Sequence, residues 1–167
     1  TLAHFDIMAG DPDVIPVMQD ILKINPDITI IAAPWSAPAW MKTNDSFISG
    51  ELKKDCYEPY ARYLVKYVQE MEKHGIPIHS ITPQNEPLNA TNEPSMVMTA
   101  KAQADFIGNH LGQAFQDSGL NTEIFCWDHN CDVPDYPTTI FDDPKAGAFT
   151  AGVAWHLYLG SIDALSQ

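Results

Sequence analysis

Four short, strongly apolar segments alternate with amphipathic helical patterns along this chain, and this alternation restricts its fold more than any other feature. The strand-like segments are predicted at 28–33, 78–82, 123–127 and 152–156. The helical patterns are predicted at 11–25, 55–74, 99–117 and 136–141. Strands that alternate with helices in this order form a parallel sheet with crossover connections. The chain is therefore predicted to be an α/β protein.

Capping residues support these helices. Asp11 or Asp13 is suited to begin the first helix, and Gly75 to end the second as its C-cap. Thr99 is suited to cap the start of the third. The first strand, 28–33, is so uniformly apolar that it is predicted to be covered on both faces.

Polar and aromatic residues follow all four predicted strands, which favours one of the two architectures compatible with the alternation. The clusters lie at 34–40, 83–87, 128–130 and 155–158. A doubly wound sheet collects its ligand groups at one switch point and usually carries a glycine-rich phosphate turn, which this sequence lacks. A TIM barrel takes active-site residues from the carboxyl ends of many strands. A TIM barrel is therefore favoured.

Charge and apolar content exclude several classes of function. The chain has 9 Lys and Arg against 22 Asp and Glu, so its formal net charge is 9 − 22 = −13. Nucleic-acid surfaces need clustered basic residues, and the only adjacent pair here is Lys53-Lys54. No apolar run approaches the ~20 residues of a membrane-spanning helix. We expect neither a nucleic-acid partner nor a transmembrane segment.

Glu86 is the strongest candidate for chemistry. It lies between Asn85 and Pro87 at a predicted strand end, with Trp35 and His156 at other strand ends. A glutamic acid in a partly apolar cleft has a raised pKa and can donate a proton to a leaving oxygen. The alternative is an exposed loop carboxylate that caps the following segment. The presence of Asn85, Trp35 and His156 at the strand ends favours the interpretation of Glu86 as a general acid.

Three stretches resemble the glycoside hydrolase family 30 enzymes, which include the glucosylceramidases. They are 33–44 (Ala-Pro-Trp-Ser-Ala-Pro-Ala-Trp-Met-Lys-Thr-Asn), 82–87 (Thr-Pro-Gln-Asn-Glu-Pro) and 155–158 (Trp-His-Leu-Tyr). Other barrel glycosidases share the Asn-Glu-Pro triplet, so the first stretch is the most specific. The resemblance implies a (β/α)₈ barrel with an attached β-domain. Residues 1–167 would then be one fragment of the catalytic domain, covering about strands three to six, because a whole barrel takes about 250 residues. The remaining strands and the β-domain are expected to be absent.

The resemblance also implies roles for individual residues. Glu86 would be the acid/base of a retaining glycosidase, and Asn85 would hydrogen-bond the sugar 2-hydroxyl. Trp35 would form an aromatic wall of the sugar pocket. Aromatic residues at strand ends are nevertheless often plain core or rim residues.

Four further substrate-binding candidates follow from the third and fourth strands. His156 and Tyr158 would line the pocket near the second carboxylate, and Asp128 and Asn130 would lie at the end of strand five. A lone histidine is more often structural than catalytic, and Asp128 could simply brace a loop. These alternatives stay open at this point.

The second carboxylate of a retaining enzyme, its nucleophile, is expected outside this chain. It must lie about 5 to 5.5 Å from the acid/base, and the resemblance puts it at the end of strand seven, beyond Gln167. Asp6, Glu93 and Asp128 are the internal carboxylates that could be nominated instead. Glu93 repeats the Asn-Glu-Pro motif without a preceding strand, so it is interpreted as a loop residue.

No metal or cofactor is expected. Cys126, His129 and Cys131 are close in sequence, but a structural zinc site needs four ligands and this group lacks the usual Cys-x-x-Cys pair. Ser36 is not set in the Gly-x-Ser-x-Gly turn of serine hydrolases.

The predicted function is a retaining β-glycosidase of the glucosylceramidase type that cleaves a terminal β-glucosyl linkage in glucosylceramide or another β-glucoside, with sphingolipid metabolism as one context. An endo-β-1,6-glucanase or another β-glycanase of the same family is the alternative, because 85–96 looks closer to that branch. An inactive fragment or a sugar-binding remnant is the alternative of another class. No leader is visible, and the longer protein is expected to be secreted to an extracellular or periplasmic location. The fragment is expected to self-associate through exposed sheet edges.

Overall fold

The sheet of this protein contains four parallel strands in sequential order. The computed structural model describes residues 2–166 with the exception of position 11, so the proposed helix start at Asp11 lies outside the described residues. The strands are β1 (Ile31–Ala32), β2 (Ser80–Ile81), β3 (Glu123–Cys131) and β4 (Thr150–Gly160). Their order is β1-β2-β3-β4, and every neighbouring pair is parallel. This sequential order is that of a barrel wall, so the prediction of a partial α/β barrel is confirmed.

The helices alternate with the strands along the chain, as the sequence predicted. They are α1 (Ile7–Gly10), α2 (Val14–Ile24), α3 (Tyr57–Lys73), α4 (Ala100–Phe106), α5 (Gly112–Asp117), α6 (Asp135–Asp142) and α7 (Pro144–Phe149). A π-helical segment, Ile107–Leu111, joins α4 to α5. Short 3₁₀ turns cover Ala39–Met41, Lys54–Cys56 and Ile162–Ser166. Among the described residues, none of these helices has the length and apolar character needed to cross a membrane.

The predicted helix caps form at two of three positions. The Thr99 hydroxyl accepts a hydrogen bond from the Ala102 amide at 3.2 Å. Gly75 takes a φ of +75°, which the missing Cβ permits, and ends α3. Asp13 precedes α2 but its side chain makes no capping bond.

Aromatic and aliphatic side chains of α3 form the centre of the core. Tyr60, Leu64, Val68 and Met71 recur at helical spacing, and all four are buried. The Tyr60 ring stacks on Phe106 of α4 with ring centroids 5.5 Å apart. Burial of these large apolar surfaces stabilises the packing of the helices against the sheet. The polar groups lie instead at the carboxyl ends of the strands.

Strand β1 differs from the prediction. Only two of its residues pair with β2, and the Ile31 side chain is 53% exposed. The expectation of a strand covered on both faces is therefore wrong. Side chains alternate between the two faces of a strand, and the face that carries Ile31 has little covering it.

Strands β3 and β4 extend further than predicted. Because β3 ends at Cys131 and β4 at Gly160, Asp128, Asn130 and Tyr158 lie within strands rather than in the loops after them. The pairing register shifts between Trp127 and His129, and Trp127 and Asp128 take φ values of 72° and 64°. Such a bulge redirects side chains, and bulges are frequent beside active sites.

Candidate active site

The backbone of Asn85 and Glu86 is bonded to both neighbouring strand ends. The Asn85 amide donates to the Pro34 carbonyl at 2.8 Å, and the Glu86 amide donates to the Asp128 carbonyl at 2.9 Å. Glu86 has a φ of 44°, an unusual value for a residue with a side chain. Surrounding structure must determine such a conformation, and here the two hydrogen bonds do so.

The Glu86 carboxylate is almost fully surrounded by hydrogen-bond partners. Its Oε2 atom accepts from the side-chain amides of Asn89 and Asn92, both at 2.8 Å. Its Oε1 atom lies 3.1 Å from His156 Nδ1. The side chain is only 14% exposed.

These partners reverse the predicted direction of the pKa shift of Glu86. Burial raises the pKa, but the hydrogen bonds from Asn89, Asn92 and His156 and the charge of His129 together lower it below the ordinary glutamate value. The expectation of a raised pKa is therefore wrong for this environment. The cleft predicted to be partly apolar contains amide donors that stabilise the carboxylate.

Asp128 and His156 extend this arrangement into a chain of hydrogen bonds. His156 Nε2 lies 2.9 Å from Asp128 Oδ1, and the Thr82 hydroxyl donates to Asp128 Oδ2 at 2.7 Å. Both oxygens of Asp128 therefore have protein partners. This favours the bracing role for Asp128 over direct contact with a sugar, and its substrate-binding role stays a prediction.

Asn130 is buried and already hydrogen-bonded to the protein. It is 5% exposed, its Oδ1 atom accepts from the Tyr158 amide at 3.0 Å, and its carbonyl accepts from Trp127 Nε1 at 2.9 Å. These contacts connect β3 to β4. It differs from Asn85, which is buried to a similar degree at 8% exposed, because its polar groups already have protein partners. Its predicted role in substrate binding stays a prediction.

Two of the predicted contacts are exposed, and a third, Asn85, is buried but has a side chain without a protein partner in the described part of the chain. Trp35 is 48% exposed and Tyr158 is 80% exposed. The Gln84 side chain donates to the Trp35 carbonyl at 2.7 Å, which places this tryptophan beside Asn85. Within the described residues, the Asn85 side-chain amide makes no hydrogen bond. It can therefore serve a hydroxyl of a bound molecule.

Sequence reasoning missed Asn89, Asn92 and Thr82, and considered His129 only as a zinc ligand. The two asparagines follow Glu86 by three and six residues in a segment without regular structure. In such a segment the sequence spacing does not indicate which way a side chain points. His129 presents a ring nitrogen within 4.8 Å of ligand atoms of Glu86 and His156. Burial lowers the pKa of His129, against the opposing charge of Glu86.

The cysteines do not join this histidine. Cys126, Cys131 and His129 form no group of converging ligand atoms in the described part of the chain, and all three cysteines are free and buried. Glu93 is exposed and lies in a segment without helix or strand, as its interpretation as a loop residue requires.

A parallel sheet with sequential strand order and a carboxylate at its carboxyl edge defines the class of α/β-barrel proteins with an active-site mouth. Residues 1–166 match the sequence profile of the glycosyl hydrolase family 30 TIM-barrel domain. The chain belongs to this family, so the predicted family resemblance is confirmed.

Known relatives include glucanases and glucosylceramidases. The chain is 35% identical to the endo-1,6-beta-D-glucanase of Neurospora crassa over 98% of this chain and 35% of that protein. It is 33% identical to putative glucosylceramidase 2 of Caenorhabditis elegans over 94% of this chain and 33% of that protein. A solved structure of an endo-beta1,6-glucanase is similar with a TM-score of 0.95 and 37% identity, over 98% of this chain and 40% of that one. The chain thus spans about a third of the length of these curated relatives.

Proposed function

We propose that this chain is the acid/base part of a retaining β-glycosidase that cleaves β-1,6-linked glucan within the polymer, with Glu86 as the proton donor. The observation that supports this most directly is the Glu86 carboxylate, which three side chains orient at the edge of the sheet. The Asn85 amide beside it is free for a sugar hydroxyl. Hydrogen bonds to the 2-hydroxyl strengthen as the ring approaches an oxocarbenium ion.

A proton donor must carry its proton at the working pH, whereas the hydrogen bonds described above lower the pKa of Glu86. We infer that a second carboxylate, the nucleophile, raises it in the working enzyme, because two like charges about 5 Å apart disfavour double ionisation. The two carboxylates would therefore act as one titrating unit.

We place that nucleophile outside these 167 residues. Inside the described part of the chain, Asp128 is occupied by Thr82 and His156, and Asp6 and Glu93 are exposed. The relatives are about three times as long as this chain, which leaves room for further strands. This chain alone would then bind sugar weakly and hydrolyse nothing.

The comparisons favour a glucan over glucosylceramide. Three endo-1,6-beta-D-glucanases are 34% to 37% identical to this chain, against 28% for the mouse lysosomal acid glucosylceramidase. Exposed Trp35 and Tyr158 can stack on sugar rings. Glucosylceramide hydrolysis is the second candidate, supported by the 33% identity to a putative glucosylceramidase. We also propose that the longer protein is secreted, because a polymeric glucan substrate lies outside the cell.

Product analysis with the full-length protein tests this proposal. We expect β-1,6-glucan to give short oligosaccharides early in the reaction, which shows cleavage within the chain. Release of ceramide from glucosylceramide, with no attack on the polymer, would support the second candidate instead. Binding of glucan without any hydrolysis would support a sugar-binding remnant.

A pair of variants in the same sequence context provides the control. Glu86→Gln should abolish product formation, whereas Glu93→Gln should leave it unchanged, because Glu93 is the exposed glutamate of the second Asn-Glu-Pro triplet. Equal loss in both variants would contradict the assignment of Glu86.

A further inference from the structure

A group of three metal-ligating side chains meets at the carboxyl ends of the strands. Glu86, His129 and His156 each present one ligand atom, and these atoms all lie within 4.8 Å of one another. Ligand atoms around a tetrahedral Zn²⁺ ion are about 3.3 to 3.6 Å apart, given bonds of about 2.0 to 2.2 Å. We propose that these three side chains bind a divalent transition-metal ion of the Zn²⁺ type.

The bonds around His156 favour a cation at this position. Its Nε2 atom lies 2.9 Å from Asp128 Oδ1 and its Nδ1 atom lies 3.1 Å from Glu86 Oε1, so each ring nitrogen faces a carboxylate oxygen. A ring nitrogen and a carboxylate oxygen at this distance need a proton or a metal ion between them. A metal ion can take the place of the proton between Nδ1 and Oε1.

The surroundings of the group match those of known metal centres. A metal-bound histidine usually donates its other ring N–H to a carboxylate that is itself hydrogen-bonded. His156 Nε2 lies 2.9 Å from Asp128 Oδ1, as such an arrangement requires, and Thr82 donates to the second oxygen of Asp128 at 2.7 Å. Asn89 and Asn92 engage Oε2 of Glu86, which leaves Oε1 as the ligand atom.

His129 supplies an independent observation. Its Nδ1 atom is buried and has no hydrogen-bond partner among the described residues. Buried polar atoms in native proteins nearly always have a partner. The ring packs against Trp127 with centroids 5.0 Å apart, which restricts its position beside the other two ligands.

Two histidines and one glutamate are a recognised ligand set for Zn²⁺ with one open coordination position. A bound ion would remove the Glu86 carboxylate from proton transfer, so the site would inhibit the proposed hydrolysis. The binding itself does not rest on that function. This proposal departs from the sequence-based expectation of no metal, which considered only the cysteine-containing group.

Zinc binding to the untagged full-length protein, measured by calorimetry against a competing chelator, tests the site. We expect one Zn²⁺ per chain, and at least about tenfold weaker binding in His129→Gln and His156→Gln. Asp128→Ala should weaken binding about 10- to 100-fold through loss of the orienting hydrogen bond. His4→Gln changes an exposed histidine that is distant in sequence from the three ligands, and this variant should bind Zn²⁺ as tightly as the unchanged protein.

Circular dichroism checks that each variant is folded. If a variant does not fold, X-ray absorption on the zinc-loaded unchanged protein still tests the site. The spectrum should show two imidazole nitrogens and oxygen at about 2.0 to 2.1 Å. Sulfur ligands, no bound zinc, or full affinity in folded His129→Gln would each overturn the proposal.

Discussion

At the scale of single residues, the environment of Glu86 is set by groups that a linear motif does not contain. The Asn-Glu-Pro triplet and its resemblance to a known family were sufficient to select Glu86 and Asn85. They could not indicate that Asn89 and Asn92 turn back onto the carboxylate, because the intervening segment has no regular period. The direction of the Glu86 pKa shift was therefore predicted wrongly.

Removal of one amide donor should raise the pKa of Glu86. In Asn89→Ala the carboxylate loses a hydrogen bond of 2.8 Å that stabilises its charged form. Carbon-detected NMR titration of the glutamate carboxyl groups measures the change. Asn121→Ala, at an exposed position, should leave the titration as it is. A Glu86 pKa that stays the same or falls in Asn89→Ala would contradict the account.

The same change has a pH-dependent effect on stability. Because the pKa of Glu86 is lowered in the folded protein, its contribution is present above the ordinary glutamate pKa and is lost as pH falls through the folded value. The free energy of unfolding of Asn89→Ala should therefore fall below that of the unchanged protein at neutral pH. The difference should become smaller in acid but not vanish, because Asn89 Oδ1 also accepts from the Thr91 amide and hydroxyl at any pH. Urea titrations at both pH values measure this.

At the scale of elements, the longer helices were predictable, whereas α7 and most strand ends were not. The apolar spacing predicted a helix at 55–74, and α3 spans 57–73. The carboxyl end of β3 was missed because Trp127 and Asp128 take left-handed φ values, which are unusual within a strand and especially for a tryptophan. Only the fold, through the paired strand β4, determines that bulge.

Lys42 links two loops and gives a prediction at this scale. It is fully buried, and its Nζ donates to the Ser95 carbonyl at 2.6 Å and the Ser36 hydroxyl at 2.9 Å. Burial lowers its pKa. Lys42→Met should lower the free energy of unfolding by roughly 1 to 3 kcal/mol, because the Ser95 carbonyl loses a charged donor.

Urea unfolding measures this loss, and amide hydrogen exchange measures its location. The Ser95 amide, which donates to the Phe47 carbonyl at 2.9 Å, should exchange faster in Lys42→Met. Lys23→Met removes an exposed surface pair with Asp20 and should change neither quantity appreciably. Equal effects of the two substitutions would show that Lys42 does not connect these loops.

At the scale of the whole molecule, strand order was predictable because alternating strands and helices permit few topologies. Within the described sheet, β1 and β4 are the outer strands. On β4 the side chains of Leu157, Tyr158 and Leu159 are 71%, 80% and 59% exposed. Outer strands with exposed apolar side chains promote association between chains.

The 167-residue chain, produced by itself, should therefore sediment as a dimer or a larger assembly. Its net charge of −13 opposes association, so added salt should increase the assembled fraction by screening that charge. Replacement of Leu157 and Leu159 by lysine should shift the chain towards monomer. A monomer of the unchanged chain at all salt concentrations in sedimentation velocity would contradict this prediction.

The central claim is that Glu86 transfers the proton to the leaving oxygen, and leaving-group dependence tests it most directly. The measurement compares kcat/KM of Glu86→Gln and the unchanged full-length protein on two β-glucosides. With a poor leaving group, which needs protonation, we expect a loss of about 10²- to 10⁴-fold. With an activated aryl leaving group, the loss should be far smaller, because that group departs without a proton. Equal losses on both substrates, or no loss on the poor one, would contradict the account.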